Sequence, residues 1–298
     1  MAEDGVAPEP RRRSVQCSSR KGLHRIAYLE WGDPRNRDVL VCVHGLTRSS
    51  RDFDALAAAL CAQFRVVCPD LAGRGDSERL ADPALYVLPQ YVSDMVTLVA
   101  RLDVEQVSWL GTSLGGLITM LLASANPTRL AGAVLNDIGP ELETSGLDNI
   151  RSYVGRARDW PTWLHAARFI AEAQADRYPD WGIDEWLVYA KRLCKLTPSG
   201  RIVYDYDMRI AEPFKLPGGE TGFDLWPLFK AMAGTPTLLL RGELSDLLSE
   251  ATVERMKAVH PKLEVATVPR VGHAPTLDEP EASKAIDRLL KRIAAKGT

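Results

Sequence analysis

Two hydrophobic rhythms alternate along this chain. Residues 39–43 form an unbroken apolar run, which predicts a strand covered on both faces, and apolar-rich segments over 64–68, 107–111, 130–135, 237–241 and 263–268 predict further strands. Between them, residues 53–62, 90–102, 114–125, 250–259 and 279–294 carry apolar residues at helical spacing, as in Val92, Met95, Val96, Val99 and Leu102. Ahead of the first run, residues 15–31 alternate polar and apolar around a turn-like 18–22, which predicts an antiparallel hairpin.

Strand and helix alternating this regularly predict an α/β fold: a mostly parallel, doubly wound sheet of about eight strands with helices on both faces. The alternation stops over residues 141–225. That stretch reads as helical and polar-rich, broken at Pro161, Pro179, Pro198 and Pro217, with no buried β-branched run. It is expected to be a helical cap, or lid, over the ligand site, inserted after the sixth strand. The core is expected over 14–140 and 226–298, and residues 1–13, with Arg11, Arg12 and Arg13, are expected to be a flexible tail. Four tryptophans, Trp160, Trp163, Trp181 and Trp186, fall in the cap. They are expected to form its core and in part to line a substrate pocket.

Composition narrows the function classes. With 298 residues, 46% of them hydrophobic, the chain can bury a full core. A formal net charge of -2 gives no electrostatic reason to bind nucleic acid or an anionic membrane, so a small molecule is the expected partner. The five cysteines are scattered and show neither a disulfide framework nor zinc-ligand spacing, so no metal is expected. No apolar segment follows the arginine cluster, and a cytoplasmic location is the expectation. Oligomeric state is not legible.

The candidate chemistry sits where strands end. Gly111-Thr112-Ser113-Leu114-Gly115-Gly116 is a GxSxG turn between a strand and a helix, where small residues permit a sharp bend that lifts a serine hydroxyl to the sheet end. Ligands of an open parallel sheet bind beyond its carboxyl ends. His44-Gly45-Leu46, Asp70, Ser113, Asp246 and His273 all fall there. A serine needs a base, and the base needs a polar partner that fixes its tautomer. Ser113, His273 and Asp246 fill those roles. Asp137, which also ends a strand, is the alternative acid. Asp70 is expected to fix the 73–77 loop, and the adhesion tripeptide spelled by Arg74-Gly75-Asp76 is read as coincidence. Arg48 and Arg51, close to the His-Gly loop, are read either as solvated or as holding an acidic substrate.

These motifs, over essentially the whole chain, resemble the serine hydrolases of the α/β-hydrolase superfamily, in particular carboxylesterases. The matching pieces are His44-Gly45, Pro69-Asp70 with Gly73 to Ser77, the Ser113 turn, Gly242-Glu243-Leu244-Ser245-Asp246 and Gly272-His273. The resemblance implies a cofactor-independent hydrolase of small or medium esters working through an acyl-enzyme. It implies an oxyanion hole from the backbone N–H groups of Leu46 and Leu114, with His44 supporting the oxyanion loop, and His44 is also expected among the substrate-pocket residues. Relatives that open epoxides or displace halide have Asp where Ser113 stands, so those activities are disfavoured. C–C bond hydrolases, lactonases, perhydrolases and acyltransferases keep the serine and stay open, as does a receptor-like protein with little turnover.

Overall fold

β-branched and aliphatic runs form the strands because side chains that project alternately from each must be buried on both sheet faces. In a computed structural model, which describes residues 8–213 and 224–295, the elements run in chain order β1 (Arg11–Ser19), β2 (Gly22–Trp31), β3 (Val39–Val43), α1 (Asp54–Leu60), β4 (Arg65–Pro69), α2 (Leu88–Arg101), β5 (Val107–Thr112), α3 (Leu114–Ala125) and β6 (Leu130–Asn136). The inserted stretch contributes α4 (Thr144–Tyr153), β7 (Asp159–Trp160), α5 (Trp163–Gln174), α6 (Ile183–Leu193), β8 (Cys194–Leu196) and β9 (Ile202–Tyr204). The chain then returns through α7 (Trp226–Ala231), β10 (Thr237–Gly242), α8 (Glu250–Val259), β11 (Leu263–Val268) and α9 (Pro280–Ala294).

The main sheet has eight strands in the order β1-β2-β4-β3-β5-β6-β10-β11. All neighbours from β4 onward pair in parallel, and only the β1–β2 hairpin and its join to β4 are antiparallel. Alternate strand residues divide between the faces. Val39, Val41 and Val43 pack with α2, α3, α7 and α8, whereas Leu40 and Cys42 pack with α1 and α9. The strand order reverses between β3 and β5, the place where such sheets bind ligands.

Three expectations change. The arginine cluster is not part of a flexible tail, because Arg11, Arg12 and Arg13 lie in β1 and pair across to β2. Buried Glu30 explains it, since it draws in Arg11, Arg13 and Arg65 at 3.2, 3.4 and 2.8 Å. The insertion is not wholly helical: β7, β9 and β8 form a small antiparallel sheet in that order. In α2 the buried face carries Tyr91, Asp94, Met95 and Leu98, while Val96 is exposed. Asp94 turns inward because His24 Nε2 meets its Oδ1 at 3.0 Å.

The insertion is joined to the core by backbone. Arg74 and Tyr206 form a β-bridge, Gly75 N–H donates to Asp205 O at 3.1 Å, and Asp207 N–H donates to Gly73 O at 2.7 Å. Pro217 lies outside the described residues.

Candidate active site

The turn after β5 is built from close approaches that only glycine permits. A Cβ on Gly115 would stand 2.1 Å from the carbonyl oxygen of Val43, and one on Gly111 would stand 2.3 Å from that of Gly115. Packed this tightly, the turn holds Ser113 at φ 50° and ψ -112°, a conformation that costs an L-residue energy and is sustained by its surroundings. Asn136, at the end of β6, adds to that support: its carbonyl accepts from Ser113 N–H at 3.1 Å, and its side chain donates to Pro275 O at 2.8 Å.

A chain of hydrogen bonds runs from this serine. Ser113 Oγ lies 3.0 Å from His273 Nε2, and His273 Nδ1 lies 2.7 Å from Asp137 Oδ2. Asp137 is fully buried and well supplied with donors. Its Oδ1 accepts from Gly242 N–H at 2.8 Å, and its Oδ2 also accepts from the Ser245 hydroxyl at 2.6 Å. Such a carboxylate can hold one imidazole tautomer and stabilise an imidazolium.

Asp246, the expected partner, does not reach the histidine; the carboxylate that does is that of Asp137, the alternative. Asp246 Oδ2 accepts instead from Asn149 Nδ2 at 3.0 Å. The reason is strand adjacency: β6 and β10 are neighbours, Asp137 N–H donates to Leu240 O at 2.8 Å, and this sets the Asp137 carboxylate under His273. Ser245, one residue ahead of Asp246, is the part of that loop that meets the hydrogen-bond chain.

His44 lies outside the pocket wall, contrary to expectation. It is buried beneath the loop, where its Nδ1–H donates to Gly45 O at 2.7 Å and its Nε2 accepts from Leu71 N–H at 2.9 Å. Burial pushes its pKa down to about 4, which suits this neutral tautomer. Above it, the N–H groups of Leu46 and Leu114 have no protein acceptor among the described residues, Leu114 because it opens α3. Arg74 braces the loop from below. It is almost fully buried and donates to Leu46 O, Ala72 O and the Tyr91 hydroxyl at 2.8, 2.6 and 2.8 Å. A side chain so enclosed cannot serve an adhesion tripeptide. Asp70, as expected, fixes the same region, accepting from Ser50 N–H at 2.7 Å and Asp76 N–H at 2.9 Å.

Ser113 and His273 open onto a cavity of about 280 Å³ between the strand ends and the insertion. None of the four tryptophans expected there lines it. Trp160 packs edge-on to Tyr204 at 5.1 Å, and Trp186 sits edge-on to Trp181 at 4.8 Å, within an aromatic cluster that includes Tyr178. Trp163 packs against the same apolar core. The wall is made instead by tyrosines, among them Tyr153, Tyr178 and Tyr189, and by arginines. Arg48 lines it, held by Asp52 through Nε at 2.8 Å, whereas Arg51 pairs with Asp54 and does not line it.

Among the described residues one group could hold a metal, Cys17, His24 and Asp94, with candidate ligand atoms within 4.8 Å of one another. It is remote in sequence from the serine turn. In it Cys17 Sγ donates to Asp94 O at 3.7 Å, and burial, with Asp94 nearby, pushes the thiol up to about 12.

The profile of the alpha/beta hydrolase family matches residues 40–285. The chain belongs to this family. Among similar alpha/beta hydrolases and relatives is a 3-hydroxybutyrate-oligomer hydrolase of Cupriavidus necator, 45% identical over 92% of this chain and 96% of the relative. A 2-(acetamidomethylene)succinate hydrolase of Mesorhizobium japonicum is 26% identical over 85% of this chain and 87% of its own length. The crystal structure of an alpha/beta hydrolase from Novosphingobium aromaticivorans superposes with a TM-score of 0.90 at 51% identity, covering 97% of this chain and 100% of that one. The alpha/beta hydrolase fold thus extends through the insertion as well as the core. No helix among the described residues is long and apolar enough to cross a membrane.

Proposed function

We propose that this hydrolase is a serine esterase that cleaves esters of small hydroxy acids without a cofactor. The observation that carries the reading is the two-step hydrogen-bond chain from Ser113 through His273 to Asp137 at the edge of the cavity. Ser113 Oγ attacks the acyl carbon while its proton passes to His273 Nε2, and Asp137 stabilises the imidazolium. The N–H groups of Leu46 and Leu114 receive the oxyanion; loss of one such donor typically costs about a hundred- to a thousandfold in rate. His273 then protonates the departing alcohol. It next takes a proton from water as the water oxygen attacks the acyl carbon, and returns that proton to Ser113 Oγ as the acid leaves.

The substrate class is supported by the 45% identity to the 3-hydroxybutyrate-oligomer hydrolase and by a cavity near the small end of ligand pockets, which run from about 300 Å³. The test is turnover of a 3-hydroxybutyrate dimer, together with fluorophosphonate labelling of the serine. Dimer cleavage and labelling that vanish in Ser113→Ala are expected. Cleavage by Ser113→Ala within tenfold of the wild-type rate overturns the mechanism.

A further inference from the structure

The cavity carries a charge that ester cleavage alone does not require. Five arginines, Arg48, Arg156, Arg158, Arg177 and Arg192, line it against one carboxylate, Asp52, although the whole chain has a net charge of -2. A cleft so lined concentrates anions and steers them inward.

The arginines are not equivalent. Arg48 is neutralised by Asp52, and Arg192 pairs with Asp278 at 2.9 Å. Arg156 and Arg158 are exposed, and Arg158 lies over the Phe169 ring at 4.4 Å. Arg177 is half-buried with its guanidinium over the Tyr153 ring at 5.8 Å; the charge of Asp246 reaches it, but among the described residues it forms no ion pair. A cation held this way bears a desolvation cost that an anionic ligand offsets. Its place is also fixed. Arg177 O accepts from Gly272 N–H at 2.7 Å, and a Cβ on Gly272 would stand 3.0 Å from Arg177 Cα. Arg177 is therefore packed on the residue that precedes His273.

We propose that Arg177 receives a free carboxylate on the alcohol portion of the ester, which makes the substrate a hydroxy-acid ester cut next to its charged end. The assignment rests on the reading of Ser113 and His273 as the hydrolytic pair. His273 gives its proton to the departing alcohol, so a group bound beside His273 belongs to that alcohol. Guanidinium offers the paired donors that match a carboxylate. A second guanidinium, that of Arg48, has an Nη1 without a hydrogen-bond partner in the same wall. The reaction balances: the ester and water give the carboxylic acid from the acyl side and the hydroxy acid from the alcohol side, and the acid loses its proton to solvent.

The experiment compares cleavage of the inner ester in a 3-hydroxybutyrate dimer and in the methyl ester of that dimer, which lacks the terminal charge. Wild type is expected to favour the charged dimer by about tenfold or more in kcat/KM. Arg177→Gln should lower that ratio about tenfold, mainly through KM for the charged dimer, and Arg177→Lys should restore part of it. A wild-type ratio near one, or a ratio unchanged in Arg177→Gln, overturns the proposal. Calorimetry on Ser113→Ala with 3-hydroxybutyrate and with inorganic phosphate supplies a readout independent of turnover. Binding of the hydroxy acid should weaken about tenfold when Arg177→Gln is added. Tighter binding of phosphate than of the hydroxy acid overturns the carboxylate assignment. If neither ester is cleaved while hydroxy-acid binding still depends on Arg177, the hydrolase reading falls and the carboxylate site stands.

Discussion

Arg74 Nε donates to the carbonyl oxygen of Leu46 at 2.8 Å, so a buried guanidinium sets the orientation of the peptide beside the proposed oxyanion donor. Lysine can keep the charge but cannot make the three bonds to Leu46, Ala72 and Tyr91 together. Arg74→Lys is expected to lower kcat about tenfold to a hundredfold with a smaller change in KM, since oxyanion contacts act in the transition state. Steady-state kinetics on a neutral p-nitrophenyl ester checks this, and an unchanged kcat refutes it.

The two candidate acids separate cleanly by mutation. Asp137→Asn should reduce kcat by about ten-thousandfold, because an amide favours the wrong imidazole tautomer. Asp246→Asn should stay within about tenfold of wild type, its side chain being bonded to Asn149 and not to His273. Comparable losses in both variants would contradict the observed connectivity.

Ser245 is bonded directly to Asp137. Ser245→Ala removes the 2.6 Å bond to Asp137 Oδ2, and the uncompensated part of that charge-assisted bond is worth about 1.5–3 kcal/mol. The expected outcome is a fall in stability of that order, read by urea unfolding, with kcat reduced about tenfold.

Gly115→Ala tests the turn itself. The new methyl would meet the Val43 carbonyl, a backbone atom that cannot rotate away. A loss of about 3 kcal/mol is expected, in the upper range of overpacking. A melting temperature equal to wild type would show that the elbow has slack.

Two buried groups act on acid stability with opposite signs. His44, pushed down from 6.5 to about 4 by burial, stays neutral in the fold. Its contribution is therefore full above pH 6.5 and is lost as pH falls towards 4. Asp70, pushed up from 3.8 to about 6 by burial, keeps its proton longer in the fold, so its contribution is full below pH 3.8 and lost as pH rises through 6. Each is on the order of 3 kcal/mol, and between about pH 4 and 6 they offset one another. Asp70→Asn should expose the His44 slope, with unfolding free energy falling by about 3 kcal/mol from pH 6.5 to 4. A fall between pH 6 and 4 no steeper than that of wild type would show the two are not opposed.

The core was legible because strands covered on both faces print their burial directly into the sequence, as in Val39–Val43 and Thr237–Gly242, which are buried throughout; Leu263–Val268, at the sheet edge, is a strand but only half-buried. The choice between Asp137 and Asp246 was not. Both close a strand run, and only the side-by-side placement of β6 and β10 selects one. In the insertion, strands of two or three residues are too short for a period of two to register, and Asp159 finds Val203 far along the chain. The tryptophans misled for a related reason. A large apolar ring has the same pattern whether it fills a core or faces a ligand, and here the rings fill the core while Tyr153, Arg177 and Tyr189 face the cavity.

The backbone joins between Gly73–Gly75 and Asp205–Asp207 have a bearing on redesign. They place the strand edge of the insertion in one frame with the loop that Arg74 braces, so that edge cannot be replaced without disturbing the reaction centre. The helices are tied in as well: Asn149 of α4 donates to Asp246, and Arg177 and Tyr178, between α5 and α6, bond to Gly272 and Ala274 on either side of His273. Exchange of the insertion between relatives therefore has to carry its partner loops with it.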